Sequence, residues 1–141
     1  MFFSIDVNNG VAIYEQIVRQ VKYAIAEESL KPGQLLPSVR ALSVELALNH
    51  NTIARAYQLL QSEGVLEVLR GRGFVVSGGA PKFCRNERKT IIADRLQGVL
   101  TEALHGGLSP QEIEDLVHKQ LKKLASKVDT VASPNPSQPA E

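Results

Sequence analysis

Residues 36–60 read Leu-Pro-Ser-Val-Arg-Ala-Leu-Ser-Val-Glu-Leu-Ala-Leu-Asn-His-Asn-Thr-Ile-Ala-Arg-Ala-Tyr-Gln-Leu-Leu, and this stretch decides the fold. It contains two helix starts. Ser38 can accept a hydrogen bond from a free N–H of a first turn, and Asn49 can do the same eleven residues later. Val39, Leu42 and Leu46 then form one apolar stripe, and Ile53, Ala56, Tyr57 and Leu60 form another. Only Ala47-Leu48 separates the two periodic runs, which predicts two short helices joined by a tight turn.

The flanks extend the pattern. Upstream, Ile13, Ile17, Val21, Ala24 and Ile25 recur at helical spacing and predict a helix over 12–28, ended by Lys31-Pro32-Gly33. Phe2 to Val7 partly alternates and predicts a short strand before an Asn8-Asn9-Gly10 turn. Downstream, Gly64 suits a helix stop, and Val65–Leu69 and Phe74–Val76 flank Arg70-Gly71-Arg72-Gly73 as a β-hairpin. Three helices and a hairpin in this order make a winged helix-turn-helix, the arrangement that lays its third helix in the DNA major groove and its wing on the adjacent backbone.

Past the hairpin, Gly78-Gly79-Ala80-Pro81 reads as a linker. A helix is expected from Arg88 to about His105, stopped by Gly106-Gly107. Ser109-Pro110-Gln111-Glu112 combines a cap, Pro in the first turn and a reciprocal Glu, so it opens a last helix to about residue 127. Residues 128–141 are polar and Pro-rich and are expected to be disordered. The expected division is a winged helix-turn-helix over 1–79, a two-helix arm over 80–127 and the tail. The fold class is mainly α with a small β wing.

The chain has 141 residues, a net charge of +1 and a single Cys. Its length excludes a barrel enzyme or a dinucleotide fold with a separate substrate domain. Cys84 alone excludes an intrachain disulfide and a Cys-based zinc site. No apolar run is long enough to span a membrane, and no secretory leader is visible, so a cytoplasmic location is expected. No phosphate-loop, metalloprotease or nucleophile-elbow motif is present, so neither an enzyme nor a cofactor is expected.

The polar residues around the helix-turn-helix fit DNA. Arg40 is placed to meet phosphate. Asn49, His50, Asn51 and Thr52 crowd a helix start whose free N–H groups and dipole favour phosphate. Asn can pair with adenine, Thr can touch a thymine methyl, and Arg55 one turn on can take guanine or phosphate. Residues 1–79 carry seven Lys or Arg against seven Asp or Glu. Four of the cations, Arg40, Arg55, Arg70 and Arg72, fall on the proposed DNA side, which implies a narrow basic face.

Several spaced elements together resemble the GntR family of bacterial transcription regulators. They are Gly33-x-x-Leu36-Pro37-Ser38-x-Arg40-x-Leu42-Ser43, Asn49-x-Asn51-Thr52-Ile53-x-x-Ala56-Tyr57-x-x-Leu60, Glu63-Gly64 and Arg70-Gly71-Arg72-Gly73-Phe74-Val75, with Ile13-Tyr14-Glu15-Gln16-Ile17 upstream. The resemblance covers residues 3–77, and the short arm around Gly107 to Ile113 is similar to the YtrA-like subfamily. It implies a homodimer on a pseudo-palindromic double-stranded operator, and control of transporter operons that often include the regulator's own gene. It carries DNA contacts onto Ser38, Arg40, Asn49, His50, Asn51, Thr52, Arg55, Gly71, Arg72 and Gly73. The chain departs from the pattern with Ala12 where Pro is usual, Ala47 for a turn Gly, Ser29 for a Gly, and His50 where Pro or Arg is common.

Bland readings compete. Asn49 is also a plain N-cap, Tyr57 lies on the core stripe, and Cys84 reads as a lone linker thiol. His105 and His118 lack a carboxylate at ligand spacing and read as surface residues. Two amphipathic helices cannot close a ligand cavity alone. Their stripes, through Ile92, Leu96, Val99, Leu100, Leu104, Ile113, Leu116 and Leu121, are expected to meet the same pair from a second chain, the alternative being that they pack onto the winged domain of their own chain. No residue cluster marks a small-molecule effector, although a pocket at that interface or between the domains is left open. The rival from another class is a protein-interaction module, which requires an exposed apolar patch on the third helix.

Overall fold

The computed structural model describes residues 3–132. Five helices and one hairpin follow in the order α1 (Ile13–Ala26), α2 (Val39–Leu46), α3 (His50–Ser62), β1 (Leu66–Leu69), β2 (Gly73–Val76), α4 (Ala80–His105) and α5 (Pro110–Ala132). The described residues form two compact units, divided between Ala93 and Asp94.

In the first unit the predicted stripes meet. Ile17, Val21 and Ile25 of α1, Leu42 of α2 and Ile53, Ala56, Tyr57 and Leu60 of α3 are all fully buried. β1 and β2 pair antiparallel in the register Leu66↔Val76 to Leu69↔Gly73. The loop before α2 adds a rung to the hairpin. Leu36 N–H donates to Phe74 O at 2.9 Å and Val76 N–H to Gln34 O at 3.1 Å. The wing is thereby fastened to the approach to α2.

Four expectations are corrected. Among the described residues, the segment 3–6 is not a strand. Phe3 enters the core, and the backbone groups are satisfied by side chains: Ser4 N–H donates to Gln20 Oε1, and Gln16 Nε2 donates to the carbonyls of Asp6 and Val11. The linker at 78–81 shrinks to a turn, because α4 begins at Ala80. Pro81 is tolerated there since a first-turn N–H has no helical partner to lose. Cys84 is consequently no linker thiol; it is fully buried in the core of the first unit. The boundary expected after residue 79 moves accordingly, and the first turns of α4 belong with the winged domain.

In the second unit Ser109 and Glu112 form the reciprocal cap. Glu112 N–H donates to Ser109 Oγ at 3.1 Å and Ser109 N–H to Glu112 Oε1 at 2.9 Å. α5 continues to Ala132, five residues beyond the expected end. The remainder of the expected tail, 133–141, lies outside the described residues.

Candidate nucleic-acid interface

The two caps set the starts of α2 and α3. Ser38 Oγ accepts from Ala41 N–H at 3.0 Å. Ala47 closes α2 in the left-handed conformation at φ 54°, which Gly adopts without strain. Asn49 Oδ1 accepts from Asn51 N–H at 2.7 Å and starts α3. That bond uses one of the two lone pairs of the amide oxygen, so Asn49 keeps its Nδ2 donors and one further acceptor site while it caps. The side chain of Asn51 makes no hydrogen bond among the described residues and remains free for a base.

Arg40, His50, Asn51 and Arg55 are exposed, and Thr52 is half-buried. The Arg55 guanidinium lies 3.8 Å above the centre of the Tyr14 ring, contributed by the first turn of α1. Sequence reading missed this contact, because only the tertiary fold brings residues 14 and 55 together.

Tyr57 ties the reading helix to its neighbours. Its hydroxyl donates to Pro37 O at 2.8 Å, just before the Ser38 cap, and its ring meets Phe74 edge-on at 5.1 Å. The residue is core, as its stripe predicts, and its hydroxyl finds a backbone partner. Burial first, and the charge of Glu45 second, push the phenol well above its ordinary pKa, so it stays a donor.

At the wing tip, Arg72 N–H donates to Leu69 O at 2.8 Å and closes the turn. Gly71 and Gly73 hold φ values of 79° and 118°, where a Cβ is strained. Arg70 and Arg72 on either side of Gly71 are exposed.

Behind the reading head, a cluster that sequence reasoning missed joins three helix regions. Lys22 is 4% exposed, and its Nζ lies 2.7 Å from Glu63 Oε1 and 3.0 Å from Glu87 Oε1. Burial is the largest single influence and lowers the ammonium pKa, but the hydrogen bonds to Glu63 and Glu87 together with their charges outweigh it and leave the pKa raised. Burial also pushes the nearby Cys84 thiol up to about 11, which removes it from redox chemistry at neutral pH.

In the second unit, six of the expected dimerisation residues, Leu96, Val99, Leu100, Ile113, Leu116 and Leu121, line one open apolar groove of about 440 Å³. Ala103, Val117, Gln120 and Leu124 complete it. Ile92 and Leu104 do not line it; Ile92 instead borders a shallow recess with Arg85, Asn86, Arg88 and Lys89. Val99 and Leu121 are 61% and 60% exposed, so the arm leaves its apolar stripe uncovered in a single chain. Among the described residues no group of His, Cys, Asp or Glu is placed to hold a metal, and no helix is long and apolar enough to cross a membrane.

Comparison with known proteins agrees with this geometry. Residues 13–76 match the family described as bacterial regulatory proteins, gntR family. The HTH-type transcriptional repressor YtrA of Bacillus subtilis is 36% identical over 124 residues, covering 88% of this chain and 92% of that protein. A GntR family transcriptional regulator from Listeria monocytogenes superposes with a TM-score of 0.64 at 28% identity, over 79% of this chain and 97% of that one. YtrA from Sulfolobus acidocaldarius, a GntR-family transcription factor, gives 0.53 at 29% identity, over 87% and 99%. With the winged helix, its caps and its wing all in place, the chain belongs to the gntR family of bacterial regulatory proteins.

Proposed function

We propose that the protein is a dimeric transcriptional repressor of the bacterial cytoplasm that reads a pseudo-palindromic DNA operator, with α3 in the major groove and the wing on the neighbouring backbone. One observation carries this reading. The exposed start of α3 is built of His50, Asn51 and Arg55, while none of the large exposed apolar side chains among the described residues lies on α3. A protein-docking helix would show the reverse. Ser38, Arg40 and the free Nδ2 of Asn49 supply phosphate contacts from the helix-turn-helix, and Gly71, Arg72 and Gly73 supply them from the wing. Thr52 offers its methyl to a thymine.

The apolar groove of the second unit supports the dimer. Burying such a stripe gains roughly 25 cal/mol per Å², and a second copy of the same arm presents the same stripe. A two-fold dimer presents two α3 helices, which is why the operator is expected to have two-fold symmetry. Its target is read as a transporter operon that includes the regulator's own gene. Sedimentation of the chain with a duplex from the region upstream of that gene tests the proposal. A dimer that takes up one duplex per two chains is expected; a monomer that ignores DNA contradicts it.

A further inference from the structure

We infer that Tyr14, on α1 and outside the helix-turn-helix, is a positioning residue for DNA binding: its ring face holds the Arg55 guanidinium in the orientation that meets the operator. The inference rests on the reading of α3 as the DNA-contacting helix.

The observation is the 3.8 Å separation between Arg55 Cζ and the Tyr14 ring centroid. At that distance the guanidinium carbon sits within van der Waals reach of the ring face, the separation a stacked guanidinium has. Stacking uses the face of the guanidinium and leaves its in-plane N–H donors free, and those donors are what phosphate or guanine requires. Among the described residues Arg55 forms no ion pair with a carboxylate, so its charge is not spent within the chain. Tyr14 itself is held by packing. It is half-buried, packs against the core, and stands in the first turn of a helix whose next residues, Gln16, Ile17 and Val18, are buried. A long and otherwise mobile arginine is therefore ordered before DNA arrives.

Ordering a rotamer-rich side chain on binding weakens affinity, so prior ordering strengthens it. Loss of the ring is expected to weaken binding roughly threefold to tenfold per half-site, and by the square of that on a full two-half-site duplex. The ring face is the active feature, since a cation is attracted by the quadrupole of Phe as well as of Tyr. The hydroxyl is dispensable in this scheme.

The test uses the full chain and a duplex selected from a random pool by the wild-type protein. Fluorescence anisotropy gives the affinities of Tyr14→Phe, Tyr14→Leu, Arg55→Ala and the double variant Tyr14→Leu/Arg55→Ala, with thermal unfolding of each as a folding control. Tyr14→Phe is expected to bind like wild type and Tyr14→Leu to lose the stated factor. In the Arg55→Ala background Tyr14→Leu is expected to have no further effect, a coupling that a general loss of stability does not produce. A Tyr14→Phe variant as weak as Tyr14→Leu overturns the inference, as does an equal loss in both backgrounds. If Arg55→Ala weakens binding and Tyr14→Leu does not, the inference falls while the DNA reading stands. If Arg55→Ala binds like wild type, the inference falls with the role of Arg55; if wild type selects no duplex from the pool, the DNA reading falls with it.

Discussion

The Tyr57 hydroxyl donates a 2.8 Å hydrogen bond to the carbonyl of Pro37, so the core of the reading helix is bonded to the residue that precedes the Ser38 cap. With Phe74 against the same ring at 5.1 Å, one buried side chain sets α2, α3 and the wing relative to each other. Tyr57→Phe leaves the Pro37 carbonyl without this partner and is expected to cost about 1–2 kcal/mol. For a domain of this size that lowers Tm by roughly 4–8 °C per kcal/mol. Thermal unfolding followed by circular dichroism checks it, and an unchanged Tm contradicts the tie.

The Lys22 cluster makes a second prediction. Lys22→Met removes the ammonium and leaves Glu63 and Glu87 facing each other, each about one-third exposed. Water screens the carboxylates in part, so the expected cost is on the order of 1–3 kcal/mol at neutral pH. Glu87→Gln is expected to cost less, since Lys22 keeps Glu63. Because the folded ammonium pKa is raised, the stabilisation is complete below the unfolded lysine value and is lost as pH rises through the folded one. Urea titrations at neutral pH test the ordering, and a Lys22→Met variant as stable as wild type contradicts it.

Cys84 gives a pH dependence of its own. Its thiol pKa is raised to about 11 by burial, above the unfolded value of about 9. Folding therefore favours the protonated thiol, and stability falls as pH rises from the unfolded toward the folded value, by on the order of 2 kcal/mol. Cys84→Ala is expected to flatten that part of the decline relative to wild type in urea unfolding between about pH 9 and 11. An identical pH slope in the two proteins contradicts this.

Ala47 occupies the left-handed conformation at φ 54° without being Gly. Ala47→Gly relieves the Cβ strain, worth roughly 1–2 kcal/mol, and gives back part of it as unfolded-chain entropy. A net gain of about 0.5–1 kcal/mol is expected in urea unfolding. A destabilised Ala47→Gly variant contradicts the strain at this turn.

The local signals were the legible ones. Ser38, Asn49 and Ser109 cap the helices assigned to them, because a cap depends on residues two or three positions away. The core stripe of α3 and the wing turn follow from short periodicities in the same way. Most of the failures involve distant partners. Phe2 to Val7 has a strand-like pattern, but Gln16 and Gln20 satisfy the backbone of its described part and pull Phe3 inward. Gly78-Gly79-Ala80-Pro81 looks like a linker only until Ala80 and Cys84 are seen in the core. Ser29 stands at the expected Gly position, yet the left-handed residue there is Glu28. Lys22 sits among apolar neighbours on α1, and nothing local points to carboxylates at residues 63 and 87. The candidate interface was legible as residue types, while its organisation by Tyr14 and Tyr57 was not.

The exposed cations of the helix-turn-helix are expected to contact an operator. Anisotropy titrations of wild type, Arg40→Ala and Arg55→Ala against selected and scrambled duplexes, over a range of salt, test this most directly. For wild type, a log–log salt slope near about −7 is expected if a dimer neutralises about eight phosphates. Each substitution is expected to cost on the order of 1–3 kcal/mol per half-site where the contact is to a base, and to make the salt slope shallower where it is to phosphate. Both variants binding the selected duplex with wild-type affinity and wild-type salt slope would contradict the account.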